Sequence, residues 1–390
     1  MKVRKAYLSD KESIKDIWKY CFAGESEEYY DYYFDNKFKA ENTIVVSDGE
    51  NAVASIQINQ YKLNLNNKEE DISYVVGVST MPEVRGKGVM KEMMGFLLND
   101  MYERGQNVSI LMPVDFRLYR KYGYENCYDI LEHRIPVDEL SGFKINADFR
   151  RAKDSDIEKL NEIYVYSNKG LNGYVKRDRD RLENMFREAK TDGSNIYIAE
   201  NEDGERMGYM YYSISGGVFY VREIYFKSVN TLKSILAFIY NHNTQCKDVV
   251  IMEDIRNRIG SIIKNPKHTE CVLKPFMMGR VINVKGTLEG LNTDGLKNNI
   301  SISVDDEYIV ENKANYKLSK SNGKLSVDKE EYDVEKSDVS LNINQFTQLV
   351  FSYKDIKDIS EIYDIEIKKD KMEVLEDIFR VRKNHINEYE

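Results

Sequence analysis

Val75-Val76-Gly77-Val78-Ser79-Thr80-Met81-Pro82-Glu83-Val84-Arg85-Gly86-Lys87-Gly88-Val89-Met90 reads as a buried strand, a proline stop, and a basic glycine-rich turn that opens a helix. The helix continues across Gly88–Arg104 with Val89, Met90, Met93, Met94, Leu97, Leu98 and Met101 on one stripe, which is the pattern of core packing. A strand that feeds a helix through such a turn aims backbone N–H groups and the positive end of the helix dipole at one spot. Gly86 and Gly88 let a ligand approach without a Cβ in the way, and Arg85 and Lys87 add positive charge. The physical reading is a cradle for a pyrophosphate; the alternative is a strand-to-helix turn that happens to be basic. The spacing is neither G-x-x-x-x-G-K-[ST] nor G-x-G-x-x-G, so nucleotide hydrolysis and nicotinamide binding lose support.

Apolar runs at Thr43–Ser47, Ala52–Leu65, Asp71–Val78 and Asn107–Met112 surround this segment, so the first unit reads as α/β or α+β. An internal repeat extends the reading. Val3-Arg4-Lys5-Ala6-Tyr7-Leu8-Ser9-Asp10 returns as Phe149-Arg150-Arg151-Ala152-Lys153-Asp154-Ser155-Asp156. Each copy is a short strand followed by a Ser/Asp helix start, with Ile14, Ile17, Trp18 and Cys21 after the first and Ile157, Leu160, Ile163 and Tyr164 after the second. Two related domains are expected. The second carries strands at Ile196–Glu200, Arg206–Ser213 and Val218–Phe226 and a helix near Thr231–Asn241, but no basic glycine loop. A third segment begins near Met277-Met278-Gly279-Arg280-Val281-Ile282-Asn283-Val284 and has a turn-rich middle at Asn292–Asn299. Its strand candidates are Ile300–Val304, Glu307–Glu311, Asn315–Leu318 and Lys324–Val327, and its helices lie near Ile343–Phe351 and Lys371–Phe379. The expected boundaries are 1–147, 148–276 and 277–390.

With 390 residues the chain has room for two or three ordinary domains. It is 42% hydrophobic and 32% charged with only 5 Pro, which is a globular composition. The formal net charge of -9 argues against nucleic acid and anionic membrane partners and favours cationic ones. Cys21, Cys127, Cys246 and Cys271 form no C-x-x-C pair, and His133, His242, His268 and His385 do not cluster with them, so neither a metal site nor a disulfide framework is expected. No apolar run approaches a membrane span, and the first residues turn polar where a signal peptide becomes apolar. The expectation is a cytoplasmic protein. Tyrosine is unusually common, at 29 beside one Trp.

The Val75–Met90 segment closely resembles the acetyl-CoA loop of the GNAT superfamily of N-acetyltransferases. The resemblance implies that Val78, Ser79 and Thr80 hold the pantetheine arm of acetyl-CoA, while Arg85, Gly86, Lys87, Gly88, Val89, Met90 and Lys91 hold its pyrophosphate. Phe116-Arg117-Leu118-Tyr119-Arg120-Lys121-Tyr122-Gly123-Tyr124 is similar to the element after the fifth GNAT strand, whose first Tyr commonly protonates the departing thiolate; Tyr119 is the matching residue. Its phenol, with an ordinary pKa of about 10, is an acid toward a thiolate rather than a base at neutral pH.

The whole plan of a GNAT domain, a second GNAT-like domain without the loop, and a sterol-carrier-protein-like α+β domain resembles the enhanced intracellular survival family. That resemblance implies an N-acetyltransferase acting on a primary amine: an aminoglycoside-like or polyamine-like molecule, or a lysine side chain. It also implies a homo-oligomer, a hexamer in that family, and a terminal α-carboxylate that returns to the first domain as general base. Here that residue is Glu390, where the family usually ends in an aromatic residue. Either the α-carboxylate of Glu390 acts with an extra acidic side chain beside it, or residues 389–390 are a frayed surface tail and another group is the base; the non-enzymatic alternative is a non-catalytic CoA-binding or regulatory module with a decayed acceptor site. Glu25, Glu27, Glu28 and Asp31 are candidates to attract a cationic acceptor, and equally a solvated helix face.

Overall fold

The structure is a computed structural model that describes residues 1–49, 51–291, 296, 299–321, 324–368 and 370–390. The chain divides into two compact units, one of Met1–Tyr128, Asn172–Val175 and Phe276–Glu390, the other of Asp129–Leu171 and Lys176–Pro275. The expected first and third segments thus share one compact body.

The first unit begins β1 (Lys2–Lys5), α1 (Lys11–Cys21), α2 (Glu27–Asn36), β2 (Thr43–Asp48), β3 (Asn51–Leu65), β4 (Lys68–Thr80), α3 (Val89–Glu103), β5 (Val108–Leu111) and α4 (Phe116–Arg120), and then enters β6 (Glu125–Pro136). Strands β1 to β4 form an antiparallel meander, and β5 joins β4 in parallel after the α3 crossover. Alternation along β3 sets its two faces: Ala54, Ile56 and Ile58 pack with the α3 stripe, leaving Gln57, Asn59 and Tyr61 on the face toward α1 and α2. Met93, Met94, Leu97, Leu98 and Met101 are fully enclosed, so the methionine-rich stripe is core, each side chain contributing roughly 1.5–3 kcal/mol on burial.

The second unit contains β7 (Asp148–Arg151) and α5 (Ile157–Ser167). After α5 the chain crosses back, and β8 (Tyr174–Val175) belongs to the first unit, where it pairs with Leu63 and Asn64 of β3. The second unit resumes with α6 (Arg179–Thr191), β9 (Asn195–Glu200), β10 (Arg206–Ser215), β11 (Val218–Phe226), α7 (Val229–Tyr240), β12 (Asp248–Glu253) and α8 (Arg258–Ile262). Strands β7, β9, β10 and β11 are antiparallel neighbours and β12 is parallel to β11, the order of the first unit repeated.

The short sequence repeat is realised atom for atom. Arg4 donates to both carboxylate oxygens of Asp10 at 2.7 and 3.0 Å, and Arg150 does the same to Asp156 at 2.7 and 2.8 Å. In each copy the same Asp accepts a backbone N–H three residues earlier, from Tyr7 and from Lys153. Both carboxyls are held below the ordinary range chiefly by these arginines.

Strand β13 (Glu270–Val281) changes the reading of the third segment. Met278 to Val281 pair antiparallel with Leu111 to Val108 of β5, so the run at Met277 completes the first unit's sheet, and the expected boundary at 276/277 falls inside a strand. An apolar run says that a strand exists but not which neighbour it pairs with. The strand stops at Val281; Asn283 caps α9 (Val284–Gly290) by accepting from the Gly286 N–H at 2.9 Å. The remainder is a four-stranded sheet of β14 (Ile300–Asp305), β15 (Ala314–Ser321), β16 (Lys324–Glu330) and β17 (Val339–Asn342), in the order β16-β15-β14-β17, with α10 (Ile343–Val350), α11 (Ile356–Tyr363) and α12 (Met372–Ile378). The expected strand at Glu307–Glu311 is instead a loop and a turn, because Asp306 accepts the N–H groups of Tyr308 and Ile309 and bends the chain. The expected turn-rich middle at Asn292–Asn299 lies mostly outside the described residues.

Candidate active site

Strand β4 parts from β5 where the loop segment begins. Only Ser73, Tyr74 and Val75 pair with β5, whereas β4 stays paired with β3 out to Thr80. From Val76 to Thr80 the β5-facing edge therefore has no strand neighbour among the described residues, leaving main-chain groups for an extended ligand to bind. A bulge drives the divergence: Gln57 pairs with Val76 but Ser55 pairs with Ser79, and Gly77 takes up the extra length at φ +59°. No side chain fits there, since a Cβ on Gly77 would stand 1.9 Å from the Trp18 ring.

Beyond Thr80 the chain makes the turn Pro82–Val84 and enters α3 from Gly88 at φ +80°. No side chain caps this helix, and a Cβ at Gly86 or Gly88 would meet nothing within 4 Å. Backbone donors thus face open space at the positive end of a fifteen-residue helix. Lys87 and Lys91 are exposed beside it. Arg85 is folded back: its Nε donates to the Thr80 carbonyl at 2.9 Å and its Nη2 lies 3.7 Å from Cys21 Sγ. The Ser79 hydroxyl is engaged with Ser55 Oγ at 3.0 Å, so Ser79 offers a ligand its backbone rather than its side chain. Val89 is buried against the α3 core and Met90 is half-buried, so from these two only main-chain groups remain for an anion. The edge, the uncapped helix and the two lysines fit an acetyl-CoA-sized ligand with a pyrophosphate.

The corresponding crossover of the second unit differs. Ser228 caps α7 by accepting from the Thr231 N–H at 3.1 Å, so the helix supplies its own acceptor. Glu223 of β11 takes two hydrogen bonds from buried Arg177, at 2.9 and 2.7 Å, and that guanidinium lies 4.2 Å from the centre of the Tyr164 ring.

Tyr119 sits on α4, which Asp115 caps by accepting from the Arg117 N–H at 2.9 Å. It is 5% exposed and packs in the cluster of Val75, Leu111 and the α3 stripe. Burial alone pushes its phenol up to about 12. The Tyr124 ring meets it edge-on at 6.5 Å, and the Tyr124 hydroxyl is fixed 2.9 Å from Ser109 Oγ.

Glu390 lies on the opposite face of β3 and β4. Residues 384–388 are buried, and the Tyr74 hydroxyl donates to the Glu388 carbonyl at 3.0 Å. The Glu390 side chain accepts from Lys37 Nζ at 2.9 Å, from Asn59 Nδ2 at 3.0 Å, and from the Tyr61 hydroxyl. That side chain is wholly enclosed although the residue is half-exposed, so the exposure lies on its main chain. The surface-tail alternative for residues 389–390 is thereby corrected: three side chains of the first domain hold Glu390.

The four candidate acids do not join this group. Glu25, Glu27, Glu28 and Asp31 are all exposed; Glu27 pairs with Lys19 at 2.5 Å and Asp31 with Lys15, while the buried face of α2 presents Tyr30, Tyr33 and Phe34. Sequence reasoning missed Lys37, Asn59, Tyr61 and Tyr74. The available signal was the polar alternation Gln57, Asn59, Tyr61 in β3, which reads equally as a solvent-facing strand face.

Two family models describe acetyltransferase (GNAT) domains, matching residues 2–127 and 173–281, and a third describes a sterol carrier protein domain, matching 284–387. No curated protein matches the chain. Among solved structures, a conserved protein of unknown function from Enterococcus faecalis, described as a probable N-acyltransferase, is 19% identical with a TM-score of 0.88, covering 100% of this chain and 99% of its own. A GCN5-related N-acetyltransferase from Anabaena variabilis is 19% identical at TM-score 0.85, and Eis1 from Mycobacterium abscessus is 13% identical at 0.78, each covering 100% of both chains. Among the described residues no group of side chains could hold a metal ion and no helix is long and apolar enough to cross a membrane.

Proposed function

From a chain that belongs to the GNAT acetyltransferases, in the tandem arrangement with a sterol carrier protein domain of the enhanced intracellular survival type, we infer acetyl transfer from acetyl-CoA to a primary amine. The acceptor is an aminoglycoside-like or polyamine-like small molecule or a lysine side chain. The carrying observation is that Glu390 and Tyr119 lie on opposite faces of the sheet at the point where β4 and β5 part.

Acetyl-CoA supplies an activated acyl thioester. The open edge of Val78, Ser79 and Thr80 holds its pantetheine through main-chain groups, and the N–H groups opening α3 with Lys87 and Lys91 hold its pyrophosphate. Arg85 acts from its folded position by fixing the end of β4. The main-chain carboxylate of Glu390, ionised at neutral pH, takes a proton from the acceptor ammonium, directly or through a water, so that a neutral amine can attack. Tyr119, protonated throughout the working range, gives its proton to the thiolate as the C–S bond breaks. Glycine-free and self-capped, the second unit's crossover has no part in this chemistry.

Release of free thiol from acetyl-CoA with a panel of primary amines tests the reading. Turnover with several amines supports it, and acetyl-CoA binding without turnover on any amine overturns it.

A further inference from the structure

We propose that the side chain of Glu390 is a positioning residue, a buried clasp with Lys37, Asn59 and Tyr61 that fixes where the main-chain end of the same residue stands. This rests on the reading above, in which that main-chain carboxylate is the base.

In that reading Glu390 carries two carboxylates, and the structure treats its side chain and its main chain differently. The side-chain carboxylate has 0% exposure and three donors: Lys37 and Asn59 on Oε2, Tyr61 on Oε1. Taking a proton there would break up this set and strand the Lys37 ammonium, itself only 6% exposed, away from its counter-charge. Lys37 is placed for the pairing on its own account. It is the C-cap of α2, where a cation meets the negative end of the helix, and its Nζ stands 5.6 and 5.9 Å from the Tyr32 and Tyr33 ring centres. Asn59 and Tyr61 are alternate residues of β3, so a regular strand sets their spacing, and the Tyr33 hydroxyl lies 3.4 Å from Asn59 Oδ1, its donor partner on that side. Upstream, Tyr389 packs against Phe276 at 5.3 Å and the Tyr74 hydroxyl holds Glu388, leaving the final residue one anchored end and one exposed main chain. An aromatic final residue would anchor itself by packing; here an ion pair and two neutral donors do so.

The experiment compares Glu390→Gln, which keeps the main-chain carboxylate, with Lys37→Met, Lys37→Arg and a Gly-Gly extension after Glu390. For each, kcat, the KM for acetyl-CoA, the acid limb of the pH–rate profile and hydrogen exchange of the 384–390 peptide are measured. The clasp predicts that Glu390→Gln and Lys37→Met each lower kcat at least tenfold and speed tail exchange at least tenfold. The acetyl-CoA KM stays within twofold, the acid limb keeps its midpoint, and Lys37→Arg recovers most of kcat. Wild-type kcat with unchanged tail exchange in Glu390→Gln overturns the proposal. So does a Glu390→Gln variant that loses both activity and the acid limb while its tail stays protected, since the side chain is then the base. Wild-type turnover in the extended chain instead removes the main-chain carboxylate from the mechanism, and the exchange data on Glu390→Gln then decide the clasp separately.

Discussion

Arg280 and Asp306 form an ion pair in which Nη2 donates to both carboxylate oxygens, at 2.8 and 2.9 Å, and both side chains are wholly enclosed. The Nε of the same guanidinium donates to the Tyr122 carbonyl at 2.9 Å, just after the helix that carries Tyr119. Asp306 bends the start of the sterol carrier protein domain through its two backbone bonds, so one ion pair ties that domain to the segment after α4. Arg280→Met leaves the aspartate buried without its counter-charge and is expected to cost about 3–5 kcal/mol in urea unfolding. Arg280→Lys keeps the charge but not the fork, and is expected to lower kcat more than it weakens acetyl-CoA binding. A loss below about 1 kcal/mol in Arg280→Met contradicts this account.

Tyr119→Phe removes one oxygen from a packed position, so the fold and the acetyl-CoA Kd are expected to stay as they are while kcat falls by about a hundredfold or more. Burial raises the phenol to about 12, so it stays protonated at any pH where the enzyme is stable. The alkaline side of the wild-type rate profile therefore carries no loss from Tyr119 below about pH 11. Equal turnover by Tyr119→Phe on the best amine removes the residue from proton transfer.

Two glycines separate strain from collision. At Gly88 an alanine meets open space and bears only the cost of a left-handed backbone, about 1 kcal/mol, so Gly88→Ala is expected to fold and to show a raised KM for acetyl-CoA. At Gly77 the added methyl would overlap the Trp18 ring as well, and Gly77→Ala is expected to lose several kcal/mol or fail to fold. Thermal melts with titration of acetyl-CoA distinguish the two.

The paired Arg–Asp openings give matched stability predictions. Asp10→Asn and Asp156→Asn are each expected to cost about 1–3 kcal/mol near neutral pH. Each carboxyl has its pKa lowered in the fold, so its contribution is complete above the unfolded value of about 3.9 and disappears as pH falls through the lower folded value. The difference between wild type and either variant in urea midpoints therefore shrinks below about pH 4. A difference that persists undiminished into strong acid argues against the ion pair as its cause.

Legibility followed the range of each interaction. The strand, proline and Arg85–Gly88 turn are local, so the helix at Val89 and the strand before it could be read in the sequence, though not the bulge at Gly77. The repeat was readable because Arg4 and Asp10 are six residues apart and their partnership recurs at Arg150 and Asp156. What joins distant segments left no local trace. That β13 pairs with β5, that Lys37 faces Glu390, and that Glu307–Glu311 turns around Asp306 depend on chain neighbours that periodicity cannot name. Helix α11 escaped because eight residues with only Ile356 and Ile359 buried make too short a stripe. The tyrosine excess has a partial answer: Tyr33, Tyr61 and Tyr74 line the tail's groove, and Tyr164, Tyr209 and Tyr225 enclose the Arg177–Glu223 pair.

Residues 384–388, buried against β4 at Tyr74 and β6 at Cys127, have a consequence for biosynthesis. The first domain leaves the ribosome about 250 residues before the segment that fills its groove, an interval of roughly 13–50 s at ordinary elongation rates. Throughout it, the groove that residues 384–388 fill in the finished chain is open, and water or a chaperone must cover it. Cells short of charged tRNA would lengthen that interval, so aggregation of nascent chains is expected to rise with slower translation of the third domain rather than of the first.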